Sequence, residues 1–390
     1  MSALPVDHDG LGAVPPPSLA RIDADLAAHG WHLRQAQPRG ADHLLLQLSA
    51  GGSKPCVGQW FADRARAAEV ARRTDAVRPG SVARVGQHAL VQRHGADRRL
   101  PQLAALLAVP GTRLVAHRPE RRAVLRTEAH DQAGDVSATR YVKVLRPGRA
   151  APAAATLRHL GEAPLGPRVP RVLGVDDAQG LLVTEALPGR TLHELLPTGE
   201  VTLTVLRRVG ALVRQLHGVA APDGAGAHTA ADEASATRRA VGLAATYDAL
   251  ARTVTGDLAE RLRECEVRLG ALPTPTRAVP LHRDLHDKQL LLAPGHGPGA
   301  LGLIDLDLLA VGDPALDLGN LVAHLELRAA QGLLAPEAVG PATAALLEGY
   351  GADAAVRAAL PTYVEATRLR LVGVYAFRPT SLPDPGVLLT

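Results

Sequence analysis

The sequence predicts an α+β chain of two lobes, a small antiparallel sheet followed by a larger helical part, with an extra α+β unit at the N-terminus. Three observations carry this expectation. Between Arg113 and Thr184, five short apolar runs alternate with turn sequences and are interrupted by one Ala-rich helical stretch. Beyond Pro188-Gly189 the apolar period lengthens to about 3.6 residues, the spacing of helices. Ahead of Arg113, residues 30–100 set short strand-like runs around a helical segment, in a rhythm of their own.

In chain order, residues 1–17 read as a disordered tail ending in Pro15-Pro16-Pro17. Residues 18–112 form the N-terminal α+β cap unit. Its first helix, 18–29, carries Leu19, Ile22 and Leu26 on one face. Strands follow at 42–48 and 56–61, on either side of the Gly51-Gly52 turn, and Asp63 caps a helix running to Arg73. Short strands at 82–85 and 88–92 complete the unit. Residues 113–187 form the sheet lobe, with strands at 113–117, 123–127, 140–145, 172–175 and 181–184. A helix at 151–160 follows the third strand, and the turn Arg118-Pro119-Glu120-Arg121 joins the first two. Residues 188–390 form the helical lobe. Its helix 201–217 shows the stripe Leu203, Leu206, Val209, Leu212, Val213, Leu216, and two more helices occupy 230–270. A short strand pair precedes further helices from Leu316 onward.

Composition narrows the function classes. The 390 residues are 46% hydrophobic and 21% charged, a globular balance with room for two or three domains. Aromatics make up 2%, too few for platforms that stack nucleic-acid bases. A net charge of +4, from 43 basic and 39 acidic residues without blocks of like charge, also argues against a nucleic-acid partner. Cys56 and Cys265 lie far apart with no C-x-x-C spacing, which fits a reducing compartment and no zinc site. No apolar run reaches the roughly 18 residues of a membrane span, and no basic-then-apolar leader opens the chain. A cytoplasmic protein with a small-molecule partner is expected, its oligomeric state open. Only three of the bases are lysines: Lys54, Lys143 and Lys288. Where arginine is the default cation, a retained lysine marks a place for a compact point charge. Lys54 sits in a turn and reads as solvated.

The chemistry concentrates downstream. Leu281-His282-Arg283-Asp284-Leu285-His286-Asp287-Lys288-Gln289 runs into an apolar stretch ending at Leu292. Ile304-Asp305-Leu306-Asp307 follows, and then Gly312-Asp313-Pro314-Ala315-Leu316-Asp317-Leu318. Phosphoryl transfer needs a base aligned on the acceptor hydroxyl and metal ions neutralising the phosphates. A carboxylate two residues after His, an amide further along and an Asp ending the next strand can supply those parts. The runs 289–292 and 301–304 predict a hairpin that sets Gln289 beside Asp305. Such oxygen ligands suit Mg²⁺, which takes few protein ligands and keeps waters.

These three motifs, in this order, resemble those of the aminoglycoside phosphotransferase superfamily, which includes choline, homoserine, methylthioribose and maltose kinases. The resemblance covers residues 113–378 or thereabouts. It implies a protein-kinase-like bilobal fold, ATP and Mg²⁺ as cofactors, and phosphorylation of a small-molecule hydroxyl. It assigns the catalytic base to Asp284, metal binding to Asp305 and Gln289, and a brace under the catalytic loop to Asp317. It further sets Lys143, in Tyr141-Val142-Lys143-Val144-Leu145, against the α- and β-phosphates. Adenine would meet backbone groups of Glu185 and Leu187 in the hinge segment Thr184-Glu185-Ala186-Leu187.

The departures are informative. Gln289 stands where the family has Asn, and with His286 this is similar to maltokinases, which also carry an N-terminal cap. Arg283 replaces a common Gly and is expected in a structural ion pair. The turn 118–121 stands where a phosphate-covering loop belongs but holds no glycine. The helix at 151–160 has no acid to pair with Lys143, and Glu162 is expected past its end. That gap keeps a nucleotide-binding pseudokinase among the alternatives.

Composition also bears on the acceptor. Residues 186–280 hold ten acids against eleven arginines, with no acidic surplus to attract a polycationic aminoglycoside. Aromatics are too scattered for a quaternary-ammonium cage. A sugar or polyol is the expected acceptor. An aminoglycoside or other amino alcohol is the alternative, followed by a protein or carrier-bound metabolite.

Overall fold

A computed structural model describes residues 16–51, 56–130, 136–250, 252–294, 301–382 and 384–389. The expected tail up to residue 15 and the Lys54 turn lie outside the described residues.

The chain begins with helix α1 (Leu19–Ala27), started by Ser18, whose hydroxyl accepts the Arg21 N–H. Strands β1 (His32–Gly40), β2 (His43–Ser49) and β3 (Cys56–Phe61) follow, then α2 (Arg64–Asp75), β4 (Val82–Val85), β5 (Ala89–Gln92) and α3 (Leu103–Leu107). Asp63 caps α2 as expected, accepting the Ala65 N–H at 2.8 Å. The five strands form an antiparallel sheet in the order β1-β2-β3-β5-β4. Strand β1 was not expected. Its sequence is polar and includes Pro38, which a sheet tolerates at an edge, where β1 lies.

A second antiparallel sheet contains β6 (Thr112–Arg118), β7 (Arg122–His130), β8 (Val136–Leu145), β9 (Val172–Asp176) and β10 (Leu181–Glu185). Its order is β6-β7-β8-β10-β9, with α4 (Ala150–Glu162) after the third strand. This is the sheet the sequence predicts, with strands extended by one to four residues at their ends. Helix α4 also runs further than expected: Glu162 is its last residue rather than lying beyond it.

The remainder is helical around two small three-stranded sheets. It contains β11 (Arg190–Thr191), α5 (Leu192–Leu195), α6 (Leu203–Gly218), β12 (Ala227–His228), α7 (Ala230–Thr246) and α8 (Arg252–Gly270). Then come β13 (Val279–Leu281), β14 (Leu290–Leu292), β15 (Leu301–Leu303), β16 (Ala310–Gly312), α9 (Pro314–Ala330), α10 (Val339–Tyr350) and α11 (Ala354–Tyr375). Helices α6 and α10 pack tightly at Gly210 and Gly349. A Cβ there would stand 2.1 and 1.8 Å from the facing carbonyl oxygens of Leu346 and Arg207. Among the described residues, no helix is long and apolar enough to cross a membrane.

The N-terminal sheet grips both of its neighbours. Its apolar face joins the core of the helical part, where Trp60 meets Tyr247 edge-on at 6.2 Å and Tyr247 meets Phe377 at 5.8 Å. Backbone bonds from Leu19 to Tyr247 and from Ala36 to Phe377 fix the same contact. Toward the second sheet, Leu100 and Leu103 pack on Ala123, Leu125, Val142 and Val144. Buried Asp97 accepts the Glu120 N–H at 2.7 Å and pairs with His117 at 2.9 Å, while Arg98 bonds both Glu120 oxygens. The turn Arg118–Arg121 is therefore clamped from outside. That clamp holds Glu120 at φ +62°, a conformation usually left to glycine.

Candidate active site

Strands β14 and β15 pair antiparallel, Leu290 opposite Leu303, and the Ile304 N–H bonds the Gln289 carbonyl at 3.0 Å. The predicted hairpin is present and brings Gln289 next to the Ile304-Asp305 segment. The loop between β13 and β14 is held from below. Asp317, fully buried on α9, accepts the His282 and Arg283 N–H groups at 2.7 and 2.8 Å and pairs with His217 at 3.1 Å. Burial alone would raise its pKa, but these donors hold it below the usual value. His282 then ties the loop to the hairpin. Its Nε2 donates to the Ile304 carbonyl at 2.9 Å, and its Nδ1 accepts the Asp284 N–H at 3.3 Å.

Arg283 sits at φ +66°, in the left-handed region, which explains why glycine suits this position. The expected ion pair is not formed. Among the described residues its guanidinium reaches only the Leu308 carbonyl, at 3.5 Å, and its Nε is buried without a partner. Arg283→Gly is expected to raise stability by about 1 kcal/mol, read from the denaturant midpoint. No gain would mean that the Leu308 contact outweighs the backbone strain.

Beyond Asp284 the loop is locked again. Buried Asp287 takes two 2.9 Å bonds from buried Arg328 and one of 2.7 Å from His193. His286 stacks on His324 with ring centroids 4.8 Å apart, and burial pushes its pKa down to about 4, so the ring is neutral at physiological pH. Its Nε2 lies 3.3 Å from the Gln289 carboxamide.

Asp305, at φ +64°, faces the sheet lobe. It is 3.2 Å from Lys143 and 3.1 Å from Arg122, and Asp307 contacts the same two cations, 2.5 Å from Lys143. Burial would raise the Asp305 pKa, but Lys143 and Arg122 hold it well below the usual carboxylate range. Lys143 therefore has carboxylate partners, although none comes from α4, where Ala153, Thr156 and Leu157 face the cavity. Sequence reasoning missed Arg122 and the role of Asp307, because both act through contacts across some 180 residues.

Two adjoining cavities open at these residues. One, of about 450 Å³, is walled by Val115, Val124, Tyr141, Leu187, Leu291 and Ile304 and also contains Lys143, Glu185, Gln289 and Asp305. The Leu187 N–H has no hydrogen-bond partner among the described residues. The second cavity, of about 420 Å³, contains Asp284 and shares Asp305 and Asp307 with the first. All six residues singled out from the sequence thus line one or the other. Among the described residues no cation lies within ion-pair distance of Asp284, and no three His, Cys, Asp or Glu side chains converge as a metal cage. A hard cation would draw on Asp305, the Gln289 amide oxygen and water, a donor set that fits Mg²⁺.

Residues 111–360 match the phosphotransferase enzyme family (APH). A viomycin phosphotransferase from Streptomyces vinaceus is 33% identical over 184 residues, 45% of this chain and 62% of that protein. The chain thus aligns with less than two thirds of that relative's length. Among solved structures, an amicoumacin kinase in complex with AMP-PNP, Ca²⁺ and Ami superposes at TM-score 0.50 and 17% identity, over 69% of this chain and 81% of that one. A glucosamine kinase aligns over 92% of this chain and 91% of its own at 19% identity, with TM-score 0.46.

Proposed function

We propose that this chain, which belongs to the phosphotransferase enzyme family, transfers the γ-phosphoryl group of ATP to a hydroxyl of a small molecule, with a sugar or polyol as acceptor. The observation that carries this reading is the placement of Asp284, Asp305 and Lys143. Lys143 lies more than 140 residues before the hairpin flanked by Asp284 and Asp305, yet all three open onto two joined cavities, one with an apolar slot for a base. Adenine fits between Val124 and Leu291, with the unpaired Leu187 N–H and the Glu185 backbone at its edge. Lys143 and Arg122 face the phosphates, and their present carboxylate partners keep both cations in place until the nucleotide arrives. Mg²⁺, when bound, neutralises phosphate charge beside Asp305 and Gln289. Asp284 takes the acceptor proton as the acceptor oxygen bonds to the γ-phosphorus. The bond from that phosphorus to the β–γ bridging oxygen breaks, and ADP leaves.

The acceptor class follows from what the second cavity lacks. Tyr247, Tyr350, Tyr363, Tyr375 and Phe377 are all buried in packing contacts, so none is available to form a cage for a quaternary ammonium. Five arginines outnumber Asp284, Asp305 and Asp307 along this cavity, an unfavourable setting for a polycation.

The test is ATP turnover, with and without Mg²⁺, against sugars, polyols, aminoglycosides and amino alcohols. Mg²⁺-dependent transfer to a polyhydroxylated acceptor is expected. Lys143→Ala should weaken ATP about tenfold or more while leaving adenosine nearly unchanged, because adenosine has no phosphates to lose. Equal losses for ATP and adenosine would remove Lys143 from the phosphate site. The absence of any acid on α4 facing Lys143 favours a second reading, nucleotide binding without transfer. ATP binding with no turnover on any acceptor would establish it.

A further inference from the structure

The cavity that holds Asp284 is lined by five arginines: Arg118, Arg121, Arg122, Arg146 and Arg149. Arg122 is neutralised by Asp305 and Asp307. Among the described residues, no carboxylate lies within ion-pair distance of the other four. Elsewhere Arg98, Arg328 and Arg368 each hold a carboxylate in two bonds. The clustering is not a product of surplus charge, since the whole chain is only +4. The guanidinium groups repel one another. Desolvation and then Arg39, Arg146, Arg122 and Arg149 lower the pKa of the exposed Arg121, while Arg118, also exposed, is lowered by desolvation and Arg122 against the opposing pull of Asp305 and Asp284. Arg118, Arg121 and Arg149 are exposed and Arg146 half-buried, so they form an open basic wall that can attract an anion to the cavity.

The position of these residues separates two candidate anions. On the kinase reading a nucleoside triphosphate would occupy the neighbouring cavity, which includes Arg118 and Arg122 but not Arg121, Arg146 or Arg149. Those three line only the cavity shared with Asp284, where the acceptor hydroxyl must stand. They come from the β6–β7 turn and the approach to α4, so they face Asp284 from the sheet-lobe side. The turn's backbone is held through Glu120 by Asp97 and Arg98, which sets the place from which Arg121 projects.

We propose that the acceptor carries, besides its hydroxyl, an anionic group that seats against Arg121, Arg146 and Arg149. Resting on the kinase reading above, this narrows the acceptor to a hydroxylated acid or a sugar phosphate. Planar guanidinium forks match carboxylate and phosphate alike, and the experiment distinguishes the two.

The test is calorimetric titration of the protein saturated with Mg²⁺ and AMP-PNP, using gluconate, inorganic phosphate and glucose as probes. At least one anion is expected to bind about tenfold or more tightly than glucose. Phosphate ahead of gluconate indicates a phosphate ester, and the reverse a carboxylate. The double variant Arg121→Ala/Arg149→Ala should lose about tenfold or more in anion affinity while AMP-PNP affinity stays within about threefold. Arg72→Ala, on a remote helix, should lose none. Anions no tighter than glucose, or anion binding untouched by the double variant, would overturn the proposal. So would an equal loss of AMP-PNP affinity, which would give the arginines to the nucleotide. A failure of the kinase reading looks different: AMP-PNP itself would not bind, while titration of the unloaded protein would still report the arginines.

Discussion

Replacing Asp284 with Asn is expected to lower turnover about 10³-fold while leaving ATP affinity within about threefold of the parent. The geometry makes this substitution a clean probe. The Asp284 backbone is held by its bond to His282, and that loop rests on Asp317, so the Asn side chain should occupy the same place. No described cation pairs with Asp284, so removing its charge leaves no buried partner behind. What is lost is the capacity to take a proton. General bases contribute about 10² to 10⁴ in rate, and the estimate sits inside that window. Steady-state ADP release with a competent acceptor, alongside AMP-PNP binding, separates the two effects. Full turnover in the variant would take the base assignment away from Asp284.

Asp305→Ala should act on binding as well as on rate. The Mg²⁺-dependent part of ATP affinity is expected to vanish, with kcat/KM falling about 10³-fold or more, because in the proposed site this one carboxylate would hold the metal. The ion-pair network adds a sharper expectation. Lys143 and Arg122 would keep only Asp307, and their freed charge would favour metal-free nucleotide. ATP affinity in the presence of a chelator should therefore rise rather than fall. Asp305 also sits at φ +64°, where Ala costs about 1–2 kcal/mol. Asp305→Asn tolerates that conformation better and serves as the companion variant, separating folding from metal binding. Nucleotide titrations with Mg²⁺ and with EDTA read both effects. Unchanged Mg²⁺-ATP affinity in either variant would sink the proposed site.

Much of this was legible in local sequence, for identifiable reasons. Ser18 and Asp63 announce their helices because a cap needs only its own side chain and the next turn's N–H groups. The five strands from Thr112 to Glu185 show in alternation and turn residues, and the β14–β15 hairpin in two apolar runs close together. Asp284, Gln289, Asp305 and Lys143 stand out because their chemistry is specific and their spacing is set by the strands that carry them. Strand β1 escaped notice for the opposite reason. It is a polar edge strand, and what keeps it in the sheet is pairing with β2 rather than its own composition.

The sequence by itself thus determined the order of elements, the hairpin and the residue types placed at its end. It could not determine how the charges sort themselves. Lys143 reaches Asp305 and Asp307 across more than 160 residues, and Arg122 joins them from a neighbouring strand. Asp97 reaches over from the N-terminal sheet to clamp a turn that has no glycine. The four unpaired arginines around Asp284 come from two segments whose local sequence looks like ordinary solvated surface. Electrostatic interactions depend on distance through space, and only packing of the two sheets against the helical core sets those distances. Local rules therefore read the framework of this protein, while its tertiary structure decides which charges meet, which stay free and what ligand they favour.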